Sequence, residues 1–159
     1  MLESKPAVTF RLATRADIPA LVELEARCFD YSRMGARSFQ RLIDANSAHV
    51  YLCEAEGQLL GYFLLLTRKN SRIWRLYSIA TAPESRGTGV GRALIEFAIN
   101  VAREHQAAAL SLEVKTDNFG AIRLYEKLDF AVVDVLPNYY DDGTDGYRMR
   151  LTFIGQESP

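Results

Sequence analysis

A glycine-rich turn between a predicted strand and a predicted helix constrains this chain more than any other stretch. It reads Arg-Gly-Thr-Gly-Val-Gly at residues 86–91. A strand-like segment, residues 74–80, precedes it, and a helical stripe that includes Val90, Leu94 and Val101 follows it. Glycines let the backbone turn sharply and let a ligand approach its amides. Because a helix N-terminus presents free N–H groups and the positive end of a dipole, the turn predicts a site for a phosphate-bearing ligand.

The spacing of these glycines disfavours two common nucleotide-binding motifs. The Walker motif requires a Lys after its last Gly, and here Arg92 follows Gly91. The dinucleotide fingerprint needs glycines at relative positions one, three and six, whereas Gly87, Gly89 and Gly91 stand at one, three and five. The alternative to an anion site is a glycine-rich turn that binds nothing.

Composition and charge limit the class of protein. The 159 residues are 48% hydrophobic and 25% charged, which are ordinary values for one globular domain. The net charge of −1 disfavours nucleic acid as a partner, and no apolar run is long enough to cross a membrane. Residues 1–6 lack the core of a signal peptide, and Cys28 and Cys53 have no metal-like spacing. We therefore expect one cytoplasmic domain over residues 1–159, with its core at 8–154 and no metal.

Periodicity along the chain predicts a mixed sheet with helices. Helices are expected after Thr14, around Phe39, after the glycine turn and after Asp117 or Asn118. The strands are expected at residues 8–12, 50–55, 59–67, 72–82, 110–114, 130–136 and 147–153. The crossover around the glycine turn is parallel, and the early and late hairpins are antiparallel. The predicted fold class is α/β: a largely antiparallel sheet of about seven strands with a central parallel pair, and about four helices.

The glycine turn resembles a motif of one enzyme family. Arg86, Gly89 and Gly91 match the pyrophosphate-binding pattern Gln/Arg-x-x-Gly-x-Gly/Ala of the GNAT superfamily of N-acetyltransferases.

A second stretch, residues 118–130, resembles the second motif of the same superfamily, Asn-x-x-Ala-x-x-Leu-Tyr-x-x-x-Gly-Phe. Asp129 departs from it, because the family usually has Gly there and the position tends to need a left-handed backbone. The two motifs and the strand between them cover residues 74–130. On this basis the chain is identified as a member of the superfamily, with the GNAT fold expected.

The resemblance implies transfer of an acetyl group from acetyl-CoA, the co-substrate, to an amine. Backbone groups of Ile79 and Thr81, where the strand is expected to bulge, would pair with the pantetheine arm. Tyr125 would be the general acid for the leaving thiolate, since a phenol with a pKa of about 10 stays protonated until it is needed. Its alternative role is core packing, because it lies on an apolar stripe. The implied cofactor-binding residues are Ile79, Ala80, Thr81, Arg86, Gly87, Thr88, Gly89, Val90, Gly91, Arg92, Asn118 and Tyr125.

Glu113 is the candidate general base. It shares a face of its predicted strand with Ser111 and Lys115. The Leu-Ser-Leu-Glu-Val segment, followed by an Asp-Asn helix start, resembles the ribosomal-protein alanine N-acetyltransferases, in which the matching Glu is held to act as base through water. The alternative is an exposed strand carboxylate without a catalytic role.

Two further segments are implied to form the acceptor site. The Asn-Tyr-Tyr sequence at residues 138–140 is shared with the same subfamily, although it could also be aromatic packing in a hairpin loop. The subfamily's Pro-Trp-Ser segment after the first helix is replaced here by Asp-Tyr-Ser at residues 30–32, which puts the acceptor's identity in doubt. The implied acceptor-binding residues are Phe29, Tyr31, Tyr139 and Tyr140.

These features together predict an acetyl-CoA-dependent N-acetyltransferase that acts on the N-terminal α-amine of a protein or peptide, as a monomer or weak dimer. One alternative is a GNAT enzyme that acetylates a small-molecule amine or a lysine. Another is a non-catalytic acyl-CoA-binding sensor, although the presence of both Glu113 and Tyr125 disfavours it.

Overall fold

The computed structural model describes residues 7–30 and 33–153. Tyr31 and the segment 1–6 lie outside the described residues. The seven strands are β1 (Thr9–Leu12), β2 (Ala48–Ala55), β3 (Gln58–Leu66), β4 (Ile73–Thr81), β5 (Ala109–Lys115), β6 (Ala131–Leu136) and β7 (Gly146–Thr152). The four α-helices are α1 (Ile18–Cys28), α2 (Ala36–Asp44), α3 (Val90–Glu104) and α4 (Phe119–Lys127), and short 3-10 turns stand at Arg15–Asp17 and Pro83–Ser85.

The strands form one sheet in the order β1-β2-β3-β4-β5-β7-β6. β4 and β5 pair in parallel, with Ile73 opposite Ala109, and the pairs β1–β2, β2–β3, β5–β7 and β6–β7 are antiparallel. The predicted mixed sheet with a central parallel pair and four helices is therefore confirmed. Within residues 7–30 and 33–153, no helix has the length and apolar character needed to cross a bilayer.

Two compact units can be distinguished by their internal packing. The first comprises the described residues of Met1–Leu66 together with Ser78–Ala98. Its apolar cluster is built from α1, α2 and buried strand residues, among them Leu21 of α1, Phe39 of α2 and Tyr62 of β3. The hairpin between β2 and β3 turns at Glu56 and Gly57, both in the left-handed region as a tight two-residue turn requires.

The helix start predicted at Thr14 is confirmed in detail. The Thr14 N–H donates to Oδ2 of Asp17 at 2.8 Å, and the Asp17 N–H donates to the Thr14 carbonyl at 3.0 Å. These bonds satisfy backbone N–H groups that would otherwise have no hydrogen-bond partner at the helix start. The chain then makes one 3-10 turn before α1 begins at Ile18.

The second unit comprises the described residues of Thr67–Tyr77 and Ile99–Pro159. In it Asn118 caps the start of α4, and its Oδ1 accepts the Ala121 N–H at 3.3 Å. After the last turn of α4, Asp129 has the left-handed backbone expected there, with a φ of +73°. The Phe130 N–H donates to the Tyr125 carbonyl and the Asp129 N–H to the Glu126 carbonyl, both at 3.0 Å, which satisfies the last carbonyls of the helix.

The apolar face of α4 is buried over only part of its length. The sequence puts Phe119 and Tyr125 on this one face, but Phe119 is 65% exposed whereas Tyr125 is 8% exposed. Phe119 is the first residue of the helix. Periodicity identifies the inward face of a helix but not how far along that face the packing extends.

Candidate active site

The glycine turn joins the end of β4 to the start of α3 within the first unit. Gly87 and Gly89 have φ angles of +79° and +93°, a region that side chains with a Cβ rarely adopt. The Ala93 N–H donates to the Gly89 carbonyl at 3.0 Å, and the amides that precede it in the first turn of α3 have no intrahelical partner. The turn therefore presents a row of backbone donors at the positive end of a 15-residue helix.

The residues of this turn fit a bound diphosphate. Arg86 and Arg92 are exposed beside the donors, and the space around Gly87 is open. A Cβ at Gly91 would come within 3.5 Å of Thr81 Oγ1, an ordinary contact. Thr88 has a different role, because its hydroxyl and its N–H both donate to the Ser85 carbonyl and so hold the turn itself.

The end of β4 carries the residues expected to meet the pantetheine arm. Ala80 is buried, whereas Ile79 and Thr81 are half-buried. The Thr81 carbonyl accepts the Cys28 thiol at 3.4 Å, a contact that the sequence did not indicate. Burial raises the pKa of this thiol, and nearby Arg86 opposes the shift. The expected bulge at Ile79–Thr81 stays a prediction.

Glu113 lies in a pair of ion contacts in the second unit. Oε1 accepts Arg75 Nε at 2.8 Å and lies 2.6 Å from Arg75 Nη2, and Oε2 accepts Arg148 Nε at 3.3 Å. The Glu113 side chain is 8% exposed, so the alternative of an exposed strand carboxylate is wrong. Both arginines were missed by sequence reasoning, because each reaches Glu113 from another strand.

The two tyrosines after β6 lie in the same neighbourhood. Their rings pack edge to face with centroids 5.1 Å apart, and Arg75 Nη2 donates to the Tyr139 hydroxyl at 3.3 Å. A Cβ at Gly146 would come within 3.2 Å of Tyr140 and 3.3 Å of Tyr139, so this glycine makes room for the pair. Burial, and after it the proximity of Tyr139, Glu113 and Tyr125, raises the pKa of Tyr140 to about 12. The second unit thus brings together four predicted site residues.

Tyr125 and Phe29 both pack against apolar neighbours, each within its own unit. The Tyr125 ring lies 5.7 Å from that of Phe130, and burial raises the pKa of its phenol. Phe29 packs half-buried against the apolar cluster of the first unit. The side-chain oxygen of Asn118 is used in capping α4.

Comparison with known proteins identifies the family. The family model described as "Acetyltransferase (GNAT) family" matches residues 18–130. The chain is 32% identical over 147 residues to the N-alpha-acetyltransferase RimI of Mycobacterium tuberculosis, covering 90% of this chain and 91% of that protein. The crystal structure of the ribosomal-protein-S18-alanine N-acetyltransferase of Escherichia coli superposes with a TM-score of 0.83 at 26% identity, over 96% of this chain and 99% of that one.

A further solved structure, from Salmonella typhimurium and described with its cofactor acetyl-CoA, has the same fold, with a TM-score of 0.82 at 22% identity over 97% of this chain and 98% of that one. The predicted superfamily and fold are confirmed. The chain belongs to the GNAT family of acetyltransferases.

Proposed function

We propose that this chain transfers the acetyl group of acetyl-CoA directly to the α-amine at the N-terminus of a protein or peptide. The observation that carries the proposal is that Tyr139, Glu113 and Tyr125 all lie near Tyr140, and that Arg75 donates to both Glu113 and Tyr139. This proximity supports the proposal, because Tyr125 would be the acid, Glu113 the base, and Tyr139 and Tyr140 the lining of a peptide slot. Similar proteins bear names that specify N-terminal acetylation.

The glycine turn would hold the pyrophosphate of acetyl-CoA. Its amides and the dipole of α3 favour an anion, and exposed Arg86 adds positive charge. The backbone of Ile79 and Thr81 would pair with the amides of the pantetheine arm as an added strand does.

Tyr125 would donate the proton that the departing thiolate needs. The amine nitrogen forms a bond to the acetyl carbon, the carbon–sulfur bond breaks, and the sulfur takes the phenolic proton. Because burial raises the pKa of Tyr125, the phenol is protonated at neutral pH, as an acid must be.

The surroundings of Glu113 favour an α-amine over a lysine. Both carboxylate oxygens already contact guanidinium groups, so fewer of their lone pairs are open to a bound water or amine. An α-amine has an ordinary pKa of about 7.7–8.0 and a lysine one of about 10.4, so the lysine requires roughly 3.4 kcal/mol more to become neutral at pH 7. Glu113, acting through water, could meet the smaller demand. Its Oε2, with the longer contact, is the freer oxygen.

Release of CoA thiol in the presence of different amines tests the proposal. One peptide has a free N-terminal Ala and no Lys, the second is N-blocked with one internal Lys, and an N-blocked peptide without Lys measures background hydrolysis. We expect turnover above background with the first peptide alone. Acetylation of the Lys peptide alone contradicts the N-terminal assignment. Turnover with a polyamine but neither peptide favours a small-molecule acceptor, and binding of acetyl-CoA without any turnover favours a sensor.

A further inference from the structure

A carboxylate on α1 is buried in the first unit. Glu25 is 2% exposed, and the ion pairs seen among the described residues do not include it. Its Oε1 accepts the backbone N–H of Met34 at 2.8 Å, and its Oε2 accepts the Tyr62 hydroxyl at 2.7 Å. Because a buried carboxylate that loses its partners is strongly destabilising, these two bonds define where the groups around Glu25 must lie.

The second of these bonds continues into the sheet. The Tyr62 oxygen lies 2.8 Å from Ser78 Oγ, and since Tyr62 donates to Glu25, Ser78 donates to Tyr62. Tyr62 is fully buried, and burial followed by the charge of Glu25 raises the pKa of its phenol, which keeps it a donor. Glu25 is therefore itself held in place from β3 and β4.

The first bond acts on the loop between α1 and α2. Met34 is in this loop, and its N–H is bound by the side chain of Glu25 nine positions earlier. Arg33, the residue before Met34, is bonded to the residues that follow α1. Its Nε donates to the Phe29 carbonyl at 2.7 Å and its Nη2 to the Asp30 carbonyl at 3.2 Å. Met34 and Phe29 also pack against the apolar cluster. A side chain of α1 thus holds Met34, while Arg33 is bonded to Phe29 and Asp30.

We propose that Glu25 is a positioning residue for acceptor binding, acting through the Met34 amide and the Arg33–Phe29 contact on Phe29. The inference rests on the proposed function, because the resemblance to the N-acetyltransferases implies that Phe29 binds the acceptor. Since the hydrogen bonds of the Glu25 side chain go to Met34 and Tyr62, its loss raises the KM for the acceptor and leaves acetyl-CoA affinity unchanged.

Three variants test this role. Glu25→Leu keeps the side-chain volume but removes the acceptor for Met34. Glu25→Gln is the conservative variant, because its amide oxygen accepts the Met34 N–H while its NH₂ group faces the Tyr62 oxygen, whose proton then turns to Ser78. Tyr62→Phe is the matched control, since it disturbs the same buried network but leaves the bond between Glu25 and Met34 in place.

Two measurements are made on each folded variant. Amide hydrogen exchange at Met34 should be accelerated about 10-fold or more in Glu25→Leu, and close to the unmodified protein in Glu25→Gln and Tyr62→Phe. The acceptor KM should rise about 10-fold in Glu25→Leu and recover in Glu25→Gln, while the acetyl-CoA Kd from calorimetry stays within about twofold.

The positioning role is overturned if Met34 exchange is unchanged in Glu25→Leu, if Tyr62→Phe loses as much protection, or if acetyl-CoA affinity falls in parallel with the acceptor KM. If Glu25→Leu does not fold, hydrogen exchange at Met34 in the unmodified protein tests the contact, because an unprotected Met34 amide contradicts its bond to Glu25. The exchange measurement requires no acceptor peptide and is therefore independent of the proposed function. If no peptide is acetylated while exchange behaves as expected, the proposed function fails and the loop contact stands.

Discussion

Arg75 meets one oxygen of Glu113 with two nitrogens: Nε and Nη2 lie 2.8 Å and 2.6 Å from Oε1. The other oxygen, Oε2, has the longer contact of 3.3 Å to Arg148. The same Arg75 also donates to the Tyr139 hydroxyl at 3.3 Å. One guanidinium therefore connects the candidate base to Tyr139 of the candidate acceptor slot, and changes at Arg75 or Glu113 should affect the chemistry.

Replacing Glu113 by Gln removes the charge and leaves two arginines without their carboxylate. If Glu113 relays the amine proton, we expect kcat to fall roughly 10²-fold or more, with acetyl-CoA affinity unchanged. Steady-state kinetics and calorimetry measure the two effects. Glu126→Gln, on the exposed face of α4, is the control carboxylate and should behave as the unmodified protein. Near-normal kcat in Glu113→Gln contradicts the base role and leaves Glu113 as an ion-pair centre.

Replacing Tyr125 by Phe keeps the ring contact with Phe130 but removes the acid. We expect turnover to fall by about 10²–10⁴-fold while the melting temperature changes little. Since burial raises the pKa of Tyr125, the protonated acid persists as the pH rises past the ordinary phenol value of about 10. The kcat of the unmodified protein should therefore show no loss from Tyr125 ionisation below about pH 10. A normal rate in Tyr125→Phe returns this residue to a packing role.

Replacing Gly91 by Glu places an anion in the first turn of α3. We expect acetyl-CoA to bind at least 10-fold more weakly in calorimetry, because the new charge opposes the pyrophosphate. Gly91→Ala is the matched control, since its Cβ would make an ordinary contact with Thr81. Unchanged affinity in a folded Gly91→Glu variant excludes the glycine turn from the binding site.

Replacing Gly61 by Ala tests the packing of the first unit. A Cβ there would lie 2.6 Å from the Ala80 carbonyl oxygen and 2.8 Å from Leu94 Cδ1, and the backbone oxygen cannot move cheaply. We expect the free energy of unfolding in urea to fall by about 1–3 kcal/mol. The control is Gly120→Ala on α4, where a Cβ meets nothing within 4 Å and should stabilise the helix by up to about 1 kcal/mol. Equal stabilities of the two variants would contradict this packing.

Protonating Asp17 should weaken the start of α1. The Arg11 guanidinium and the Thr14 N–H hold the pKa of Asp17 down to about 2, against an ordinary value of about 3.9. A depressed carboxyl pKa stabilises the fold above the ordinary value, and that stability is lost as the pH falls through the folded pKa.

Asp17→Asn should therefore melt at a lower temperature than the unmodified protein at pH 7. The difference should shrink below about pH 4 and vanish near pH 2. Asp30→Asn, at an exposed position, is the control and should follow the unmodified protein. A constant difference across this range would show that the carboxylate charge is not responsible.

Local features of the chain were predictable because neighbouring residues determine them. The capping box at Thr14, the two-residue hairpin turn at Gly57 and the left-handed residue at Asp129 each depend on a few adjacent φ and ψ angles and on the side chains beside them. The glycine turn followed by a helix start is likewise contiguous in the sequence. The fold class and the family could be predicted from such segments taken in order.

Contacts between distant segments were decided only by the tertiary structure. Glu113 meets Arg148 because the register of β5 on β7 places them opposite each other, and periodicity gives the face of a strand but not its partner. Glu25 accepts a hydrogen bond from Tyr62, 37 residues away, and the sequence around α1 does not indicate this partner. The exposure of Phe119 depends in the same way on where the neighbouring elements end. Sequence determines local geometry through short-range sterics and hydrogen bonds, whereas partners and burial follow from how the whole chain packs.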